Sequence, residues 1–385
     1  MSTVRYVWTT VVQTLFRFLP FPTRTGLVRL GRPGRDAPVL LTGNFGLTVA
    51  RLRRSLRGQD AYLLVANSRG INVWCAATGG LFTNHDVVSV LKTSGIDRLV
   101  DHRNVILPQL AATGIEGPVV RRKTGWRVVW GPVHADDIPA YLEHDHTATP
   151  AMHTVRFPWP ARLEMAIAWA FPISLLGALA LLPFWRAGIL PVAAIVWAFA
   201  LALFLGFPLY ERRLHRQRGG KQRGGKHRGF IFFDFGERAV PLVAWLLFMA
   251  LLAAAAGLAG TLSAGLLLRW GIAGAIVVLI LGLDLTGSTP TYKSGLHEDR
   301  LLAIRLDDDA CTGAAFCEDV CPVRVFVVDH DRRKATLPGA ANCVQCGACI
   351  VQCPFDALYF KSPSGAIIPP DTIRRYKLNL LGRRA

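Results

Sequence analysis

Residues 343–354 read Cys343-Val344-Gln345-Cys346-Gly347-Ala348-Cys349-Ile350-Val351-Gln352-Cys353-Pro354, and this run of four cysteines decides the fold of the C-terminal part of the chain. The spacing is C-x₂-C-x₂-C-x₃-C-P. Thiolates at this spacing wrap one cubane iron–sulfur cluster, and the last cysteine reaches a second cluster. A zinc site is the alternative. The spacing therefore predicts an iron–sulfur module.

An upstream segment, residues 311–322, repeats this pattern with one position changed: Ala314 stands where the second cysteine would be. Crossed ligation then predicts two unequal sets of cysteines. The complete [4Fe–4S] set is Cys321, Cys343, Cys346 and Cys349. The incomplete set is Cys311, Cys317 and Cys353. Because alanine has no ligand atom, the second cluster is predicted to be [3Fe–4S], or a [4Fe–4S] with one iron held by water or a nearby oxygen. The alternative is a degenerate, empty half.

Residues 301–361 resemble bacterial two-cluster ferredoxins. The resemblance implies a symmetric βαββαβ fold and a role in electron transfer, and we expect this domain to span residues 300–362, with a basic tail at 363–385.

The composition of the 385-residue chain is that of a membrane protein with basic loops, because 51% of the residues are hydrophobic, only 18% are charged and the net charge is +18. Nucleic-acid binding is the other interpretation of the charge, and no recognisable nucleic-acid fold supports it.

The N-terminal segment 1–37 carries Arg5 and Arg17 and has no small-residue cleavage site, so we expect a core or interfacial amphipathic helix rather than a signal peptide or membrane anchor. Cysteines at metal-cluster spacing indicate a reducing compartment.

Four long apolar stretches predict four transmembrane helices within a membrane domain at residues 160–290. They are Met165–Trp185, Ala187–Leu209, Ala239–Ala259 and Ala264–Leu285. The basic segment 211–228, which lies between the second and third stretches, contains a direct five-residue repeat and eight Lys or Arg. The positive-inside rule puts this loop in the cytoplasm, and four spans then put both flanking soluble domains on that same side.

Residues 38–150 read as a soluble α/β domain, because strand-like and helix-like segments alternate. The predicted strands are 38–41, 61–66, 99–100, 119–120 and 127–130, and the predicted helices are 47–56, 84–91 and 138–142. This alternation predicts a doubly wound, Rossmann-like sheet.

Cys75 is the one cysteine outside the iron–sulfur region, and it follows the apolar strand 61–66 within Asn72-Val73-Trp74-Cys75-Ala76-Ala77. A lone cysteine among apolar residues is most simply a buried small hydrophobic side chain. His85 and His102 are candidate partners for a nucleophile, but the sequence does not place them near it.

The segment N-V-W-C-A-A resembles the cap-helix signature of the mercury-methylating corrinoid protein family, whose corrinoid domain is of the same type as that of the corrinoid iron–sulfur protein of acetyl-CoA synthesis. Residues 102–110 and 131–138 resemble later segments of that domain. The order of corrinoid domain, membrane spans and ferredoxin matches two proteins of the family joined into one chain.

The resemblance implies that Cys75 is the lower axial ligand to the cobalt of a cobalamin-type corrinoid, and that residues 72–77 cap the corrin face. Small Ala76 and Ala77 would allow close approach, and Trp74 would pack on the macrocycle or in the core. It implies a corrinoid-dependent methyltransferase in which the ferredoxin reduces the cobalt. The partners would be the lipid bilayer, a methyl donor protein or methylated cofactor, and an external electron donor, with no nucleic acid.

Three departures from the family bear on the methyl acceptor. The signature continues as Thr78-Gly79-Gly80 instead of Gly-Lys, Ala314 interrupts one cysteine set, and no cysteine follows Cys353. A soft ion such as Hg(II) requires thiolates, and every thiol here already has an expected role. The sequence therefore favours an acceptor other than mercury. A membrane electron-transfer iron–sulfur protein without methyl transfer is the alternative.

Overall fold

The computed structural model describes residues 2–216, 235–284, 302–362 and 364–376. The five-residue repeat at 217–226 and residues 377–385 of the basic tail lie outside these ranges. The chain divides into two units. The first consists of Met1–Gln13, Leu19–Val155 and Asp299–Ala385, and the second of Thr14–Phe18 and Arg156–Glu298.

The first part of unit 1 is a mixed α/β domain built on a five-stranded sheet, in the order β1-β3-β2-β4-β5. The strands are β1 Gly26–Leu30, β2 Val39–Gly43, β3 Ala61–Ala66, β4 Asn104–Pro108 and β5 Arg127–Gly131. Strands β2 to β5 are parallel, and β1 pairs antiparallel with β3 at the edge. The chain winds outward in opposite directions from β2 and β4, so a crevice is expected at the carboxyl ends of these two strands.

Six α-helices belong to this part of the chain: α1 Thr3–Leu15, α2 Gly46–Ser55, α3 Val73–Thr78, α4 Asn84–Thr93, α5 Gly117–Thr124 and α6 Ile138–Glu143. Helix α4 begins with a capping box, in which Thr83 and Asp86 satisfy each other's backbone N–H groups. Two 3₁₀ segments, Ile96–Arg98 and Gln109–Thr113, precede and follow β4.

Two of the predicted strands are wrong. Val119 and Val120 lie inside helix α5, because Pro118 occupies its first turn and Gly125 ends it in the left-handed conformation. Leu99 and Val100 follow the 3₁₀ segment Ile96–Arg98 and form no strand. Strands β1 and β4 of the sheet were not predicted. Strand β1 precedes residue 38, where the domain was expected to begin.

The ferredoxin-like part has the element order implied by the ferredoxin resemblance. Its elements are β6 Ala303–Leu306, α12 Phe316–Asp319, β7 Val327–Asp329, β8 Lys334–Thr336, α13 Ala348–Gln352 and β9 Leu358–Lys361, followed by β10 Ile367–Ile368 and α14 Pro370–Tyr376. Strands β6 and β9 are neighbours, and β7 pairs with β8. Each half therefore contributes one strand to β6–β9, one to β7–β8, and one cysteine-bearing helix.

The ferredoxin-like part and the α/β domain share one hydrophobic core. Ala112, Ile115 and Val120 from the α/β domain belong to the same cluster of buried side chains as Ile350 and Val351 from α13. Residues on opposite sides of the four long helices in sequence thus fold into one unit.

Unit 2 contains five helices in its described residues: α7 Trp159–Leu181, α8 Ile189–Leu205, α9 Phe207–Arg216, α10 Phe235–Leu258 and α11 Ala264–Asp284. Four stretches are long and apolar enough to cross a membrane: Trp159–Leu181, Arg186–Leu205, Val240–Leu258 and Ala264–Leu281. They coincide broadly with the four predicted spans. The first helix ends at Leu181, four residues before the predicted end at Trp185.

Candidate functional site

Cys75 lies on the short helix α3, which follows β3 at the carboxyl edge of the parallel sheet. Its side chain is exposed and forms no disulfide. The buried-hydrophobe interpretation of this cysteine is therefore wrong. The thiol lies at the edge of the sheet where ligands of such α/β folds bind, close to the point where the winding reverses.

The other residues of the predicted cap segment mostly face the core. Val73, Trp74, Ala76 and Ala77 are all buried. Their side chains therefore anchor α3 to the domain instead of facing a ligand. The smallness of Ala76 and Ala77 allows the 3₁₀ segment Gln109–Thr113 to approach α3, a different use from the expected approach to a corrin ring. Asn72 caps the helix, since its Oδ1 accepts a hydrogen bond of 2.9 Å from the N–H of Trp74.

Asn44 holds the loop that leads into α3, and the sequence analysis missed it. It follows β2 directly and is 4% exposed. Its Oδ1 accepts hydrogen bonds of 2.9 Å from the backbone N–H groups of Ser68 and Gly70. The signal that could have found it is a polar side chain at the carboxyl end of a buried strand, where binding residues of α/β sheets collect.

We expect Asn44→Ala to destabilise this domain and to loosen α3. The change leaves the N–H groups of Ser68 and Gly70 buried without their partner, at a cost of about 2–4 kcal/mol in the free energy of unfolding. The measurement is the shift of the urea midpoint, followed by fluorescence in the detergent-solubilised chain.

Asn67→Ala is the matched control, because Asn67 belongs to the same loop and its Oδ1 accepts an exposed bond from the N–H of Arg69. This variant is expected to cost about 1 kcal/mol or less. Equal costs for the two variants would contradict the role given to Asn44.

The seven cysteines of the ferredoxin-like part surround two separate cavities. Cys311, Cys317 and Cys353 line the first together with Ala314. Cys321, Cys343, Cys346 and Cys349 line the second. Among the residues described, no three His, Cys, Asp or Glu side chains are grouped to hold a single metal ion. The donors are instead spread around each cavity, and a set of soft thiolates around a cavity fits an iron–sulfur cluster.

The backbone around Ala314 repeats that around Cys346. Gly313 and Ala315, which flank Ala314, have φ angles of 69° and 63°. Gln345 and Gly347, which flank Cys346, have φ angles of 55° and 75°. The cysteine loop thus keeps its turn in the half that lacks one cysteine.

Backbone N–H groups point at cysteine sulfurs in both halves. The donor–Sγ distances are 3.2 Å for Val325 to Cys321, 3.5 Å for Ala335 to Cys311 and 3.4 Å for Gln345 to Cys343. N–H groups so placed can stabilise the negative charge of cluster-bound thiolates, and they are one determinant of a cluster's reduction potential.

Burial raises the pKa of three of the cysteines. Desolvation raises the pKa of Cys317 to about 12, raises that of Cys321, and raises that of Cys349 well above its usual value. Without iron these groups are neutral thiols at pH 7. Because iron binds the thiolate, loading the clusters must release protons, which couples cluster assembly to pH.

Comparison with known proteins divides the chain in the same way. Residues 11–142 match the family model described as CO dehydrogenase/acetyl-CoA synthase delta subunit, and residues 303–356 match the 4Fe-4S dicluster domain.

Curated relatives match over about a third of the chain. The acetyl-CoA decarbonylase/synthase complex subunit gamma of Archaeoglobus fulgidus is 35% identical over 126 residues, covering 32% of this chain and 26% of the relative. The subunit of the same name from Methanopyrus kandleri is 34% identical over 128 residues, covering 33% and 27%. That of Methanocaldococcus jannaschii is 30% identical over 128 residues, covering 33% and 26%. The chain thus spans about a quarter of the length of these relatives.

These matches confirm the coarser part of the expected resemblance and give no support to mercury methylation. Residues 11–142 are therefore similar to subunits of CO dehydrogenase/acetyl-CoA synthase and of the acetyl-CoA decarbonylase/synthase complex, and residues 303–356 are similar to 4Fe-4S dicluster domains.

Proposed function

We propose that this chain is a membrane-bound corrinoid protein that carries and transfers a methyl group, with its own ferredoxin domain as the electron supply. The observation that carries the proposal is the exposed thiol of Cys75, which lies at the carboxyl edge of the mostly parallel sheet, in the part of the chain that matches the CO dehydrogenase/acetyl-CoA synthase delta subunit.

Cys75 would hold the corrinoid by its sulfur, and a cobalt bound there would supply a metal able to accept and release a methyl group. The chain's part in this chemistry is to keep the sulfur fixed and presented to the crevice. Asn72 caps the helix that carries it, and Asn44 fixes the preceding loop. The buried Val73, Trp74, Ala76 and Ala77 keep α3 anchored to the sheet.

The two cavities support the division of cysteines made by crossed ligation. We propose a [4Fe–4S] cluster on Cys321, Cys343, Cys346 and Cys349, and a [3Fe–4S] cluster on Cys311, Cys317 and Cys353. The methyl donor would be a protein or a methylated cofactor, and an external low-potential donor would refill the clusters.

Two features of unit 1 and unit 2 support a membrane location. Large apolar side chains on the long helices are exposed, including Leu176, Leu179, Leu251 and Leu268, and surfaces of this kind require lipid or a protein partner. Unit 1 is built from segments that precede and follow the four helices in sequence. Because these segments fold together, they must lie on one side of the membrane, and four crossings, an even number, satisfy this requirement.

The N-terminal helix α1 is proposed to lie in the lipid interface. Val4, Val7, Trp8 and Val11 follow one another at helical spacing, and all four are exposed. Arg5 lies on the same helix, and the guanidinium of Arg54 in α2 lies over the ring of Tyr6, 4.5 Å from its centroid. An apolar stripe with flanking basic residues is typical of interfacial helices, and the exposure of the stripe argues against the core alternative.

Anaerobic purification followed by metal analysis tests the main proposal. We expect about one cobalt and about seven irons per chain, and an absorption band of cobalt bound to thiolate. Iron without cobalt, in protein grown and reconstituted with cobalamin, would instead favour the membrane electron-transfer function.

The topology gives a separate prediction. A protease site inserted after Gly220, in the basic segment, is expected to be cut in inverted vesicles and protected in spheroplasts. The matched control is the same insertion after Gly260, in the connection between α10 and α11, which should show the opposite pattern. Cleavage of both sites from one side would contradict the four-span topology.

A further inference from the structure

Gln352 is a buried amide of the ferredoxin domain whose hydrogen-bond partners all belong to the α/β domain. It is 3% exposed. Its Nε2 donates to the carbonyl oxygens of Ala112 at 2.8 Å and Ile115 at 2.5 Å. Its Oε1 accepts from the N–H of Gly117 at 3.4 Å. Both amide donors are used, so the side chain is specified as glutamine rather than as any buried residue.

Gln352 also occupies a special place among the cysteines. It is the last residue of α13 and directly precedes Cys353, which lines the first cavity. Cys349, on the same helix, lines the second cavity. Helix α13 and the cysteine that follows it therefore contribute to both cluster sites, and Gln352 binds this segment to the α/β domain.

The segment that is hydrogen-bonded to Gln352 also packs against α3, the helix that carries Cys75. A Cβ atom added at Gly114 would lie 2.9 Å from the carbonyl oxygen of Ala77, in α3, and 2.6 Å from that of Phe82. The backbone of residues 109–115 thus packs closely against α3 and also accepts hydrogen bonds from Gln352.

A second set of contacts joins the same segment, through residues 153–155, to Pro322, which directly follows Cys321. The Oε1 of Gln109 lies 2.9 Å from Nδ1 of His153, and its Nε2 donates to the carbonyl of His153. Two residues later, the N–H of Val155 donates to the carbonyl of Pro322 at 2.9 Å. Domains in one chain usually move against each other unless their interface is large and apolar. Here a shared core and a fully bonded buried amide resist such movement.

We propose that Gln352 is a positioning residue. It fixes the ferredoxin domain against residues 109–115, which pack on the helix that carries Cys75, so that electrons reach the corrinoid by a short, fixed route within one chain. The inference rests on the proposed function. One electron would leave a reduced cluster held by the ferredoxin cysteines, returning it to its oxidised state, and would lower by one the oxidation number of a cobalt held by Cys75. An external low-potential one-electron donor reduces the cluster again.

The test uses the full chain loaded with iron, sulfide and cobalamin, with titanium(III) citrate as the reductant. Stopped-flow absorbance follows the corrinoid after the clusters are reduced. In the wild type we expect a rate independent of protein concentration. Gln352→Met keeps the length of the side chain and removes all three bonds, and it should slow the step at least about tenfold, as expected for a small misplacement of reacting groups. Iron and cobalt contents should stay unchanged.

Arg332→Met is the control, because Arg332 is an exposed long side chain on the β7–β8 turn; its rate should equal that of the wild type. If Gln352→Met loses its cofactors, Gln352→Asn replaces it, since it keeps the amide but is one methylene too short for the same bonds. An unchanged rate in the fully loaded variant would overturn the proposal, as would a wild-type rate that rises with protein concentration.

Hydrogen exchange separates this proposal from the proposed function. The amide of Gly117 and the segment 109–115 should exchange faster in Gln352→Met than in the wild type, whether or not a corrinoid is bound. A wild type that binds no cobalamin would refute the methyl-transfer function and leave the docking result intact. Unchanged exchange in this segment would refute the docking role alone.

Discussion

Replacing Cys75 by alanine is expected to remove the cobalt–thiolate absorption band and to abolish methyl transfer, while both iron–sulfur clusters remain. Loss of an outer-shell partner of a metal site already costs about 10–100-fold in affinity or activity, so loss of the ligand itself should cost at least about 100-fold. The measurements are the visible spectrum and the cobalt and iron contents of the anaerobically purified chain.

The exposed position of Cys75 makes this variant easy to interpret. Alanine is the best helix former, and the side chain of Cys75 is exposed. The free energy of unfolding should therefore change by about 0.5 kcal/mol or less, and the unchanged iron content is an internal check that the chain is folded. Thr78→Ala is the matched control on the same helix, since the Thr78 hydroxyl bonds only to carbonyls of that helix. A Cys75→Ala protein that keeps the wild-type cobalt spectrum would refute the ligand assignment.

The parts of the fold that the sequence predicted are those set by local, repeated signals. The cysteine spacing predicted the iron–sulfur module because the ligands and the turns between them lie within a dozen residues, and the resemblance to two-cluster ferredoxins implied its element order. The continuous apolar run 61–66 predicted β3 residue for residue, since a buried parallel strand needs apolar side chains on both faces.

The errors arise where the signal was two residues long or was interrupted. Val119 and Val120 are β-branched and adjacent, and two residues carry no period that separates a helix from a strand. Strand β4 was missed because Pro108 ends it, and proline inside an apolar run argues against a strand. Strand β1 was missed because it is an edge strand that begins at Gly26 and carries Arg29.

Contacts between residues far apart in the chain could not be predicted, because the local sequence carries no signal for them. Gln352 is more than 230 residues from the groups it binds, and nothing in its neighbourhood distinguishes it from an exposed glutamine. Ala76 and Ala77 were expected to admit a ligand, but the same small side chains equally admit a neighbouring segment. Only the three-dimensional packing shows which of the two uses occurs.

Replacing Ala314 by cysteine is expected to convert the incomplete cluster into a second [4Fe–4S]. The turn at Ala314 already has the left-handed flanking residues that accompany Cys346 in the other half, and Ala314 lines the cavity shared by Cys311, Cys317 and Cys353. A thiol at this position therefore starts from the correct backbone. The iron content should rise from about seven to about eight atoms per chain.

Electron paramagnetic resonance distinguishes the two cluster types, because an oxidised [3Fe–4S] cluster is paramagnetic and an oxidised [4Fe–4S] cluster is silent. The wild type should give the signal, and Ala314→Cys should lose it. Ala314→Val is the control: its size is close to that of cysteine, but it has no atom that can bind iron, and the signal should persist. The reverse change, Cys346→Ala, should create the same defect in the second half and lower the iron content. Two silent cubane clusters in the oxidised wild type would refute the assignment, and they would mean that a group other than a thiolate completes the site at Ala314.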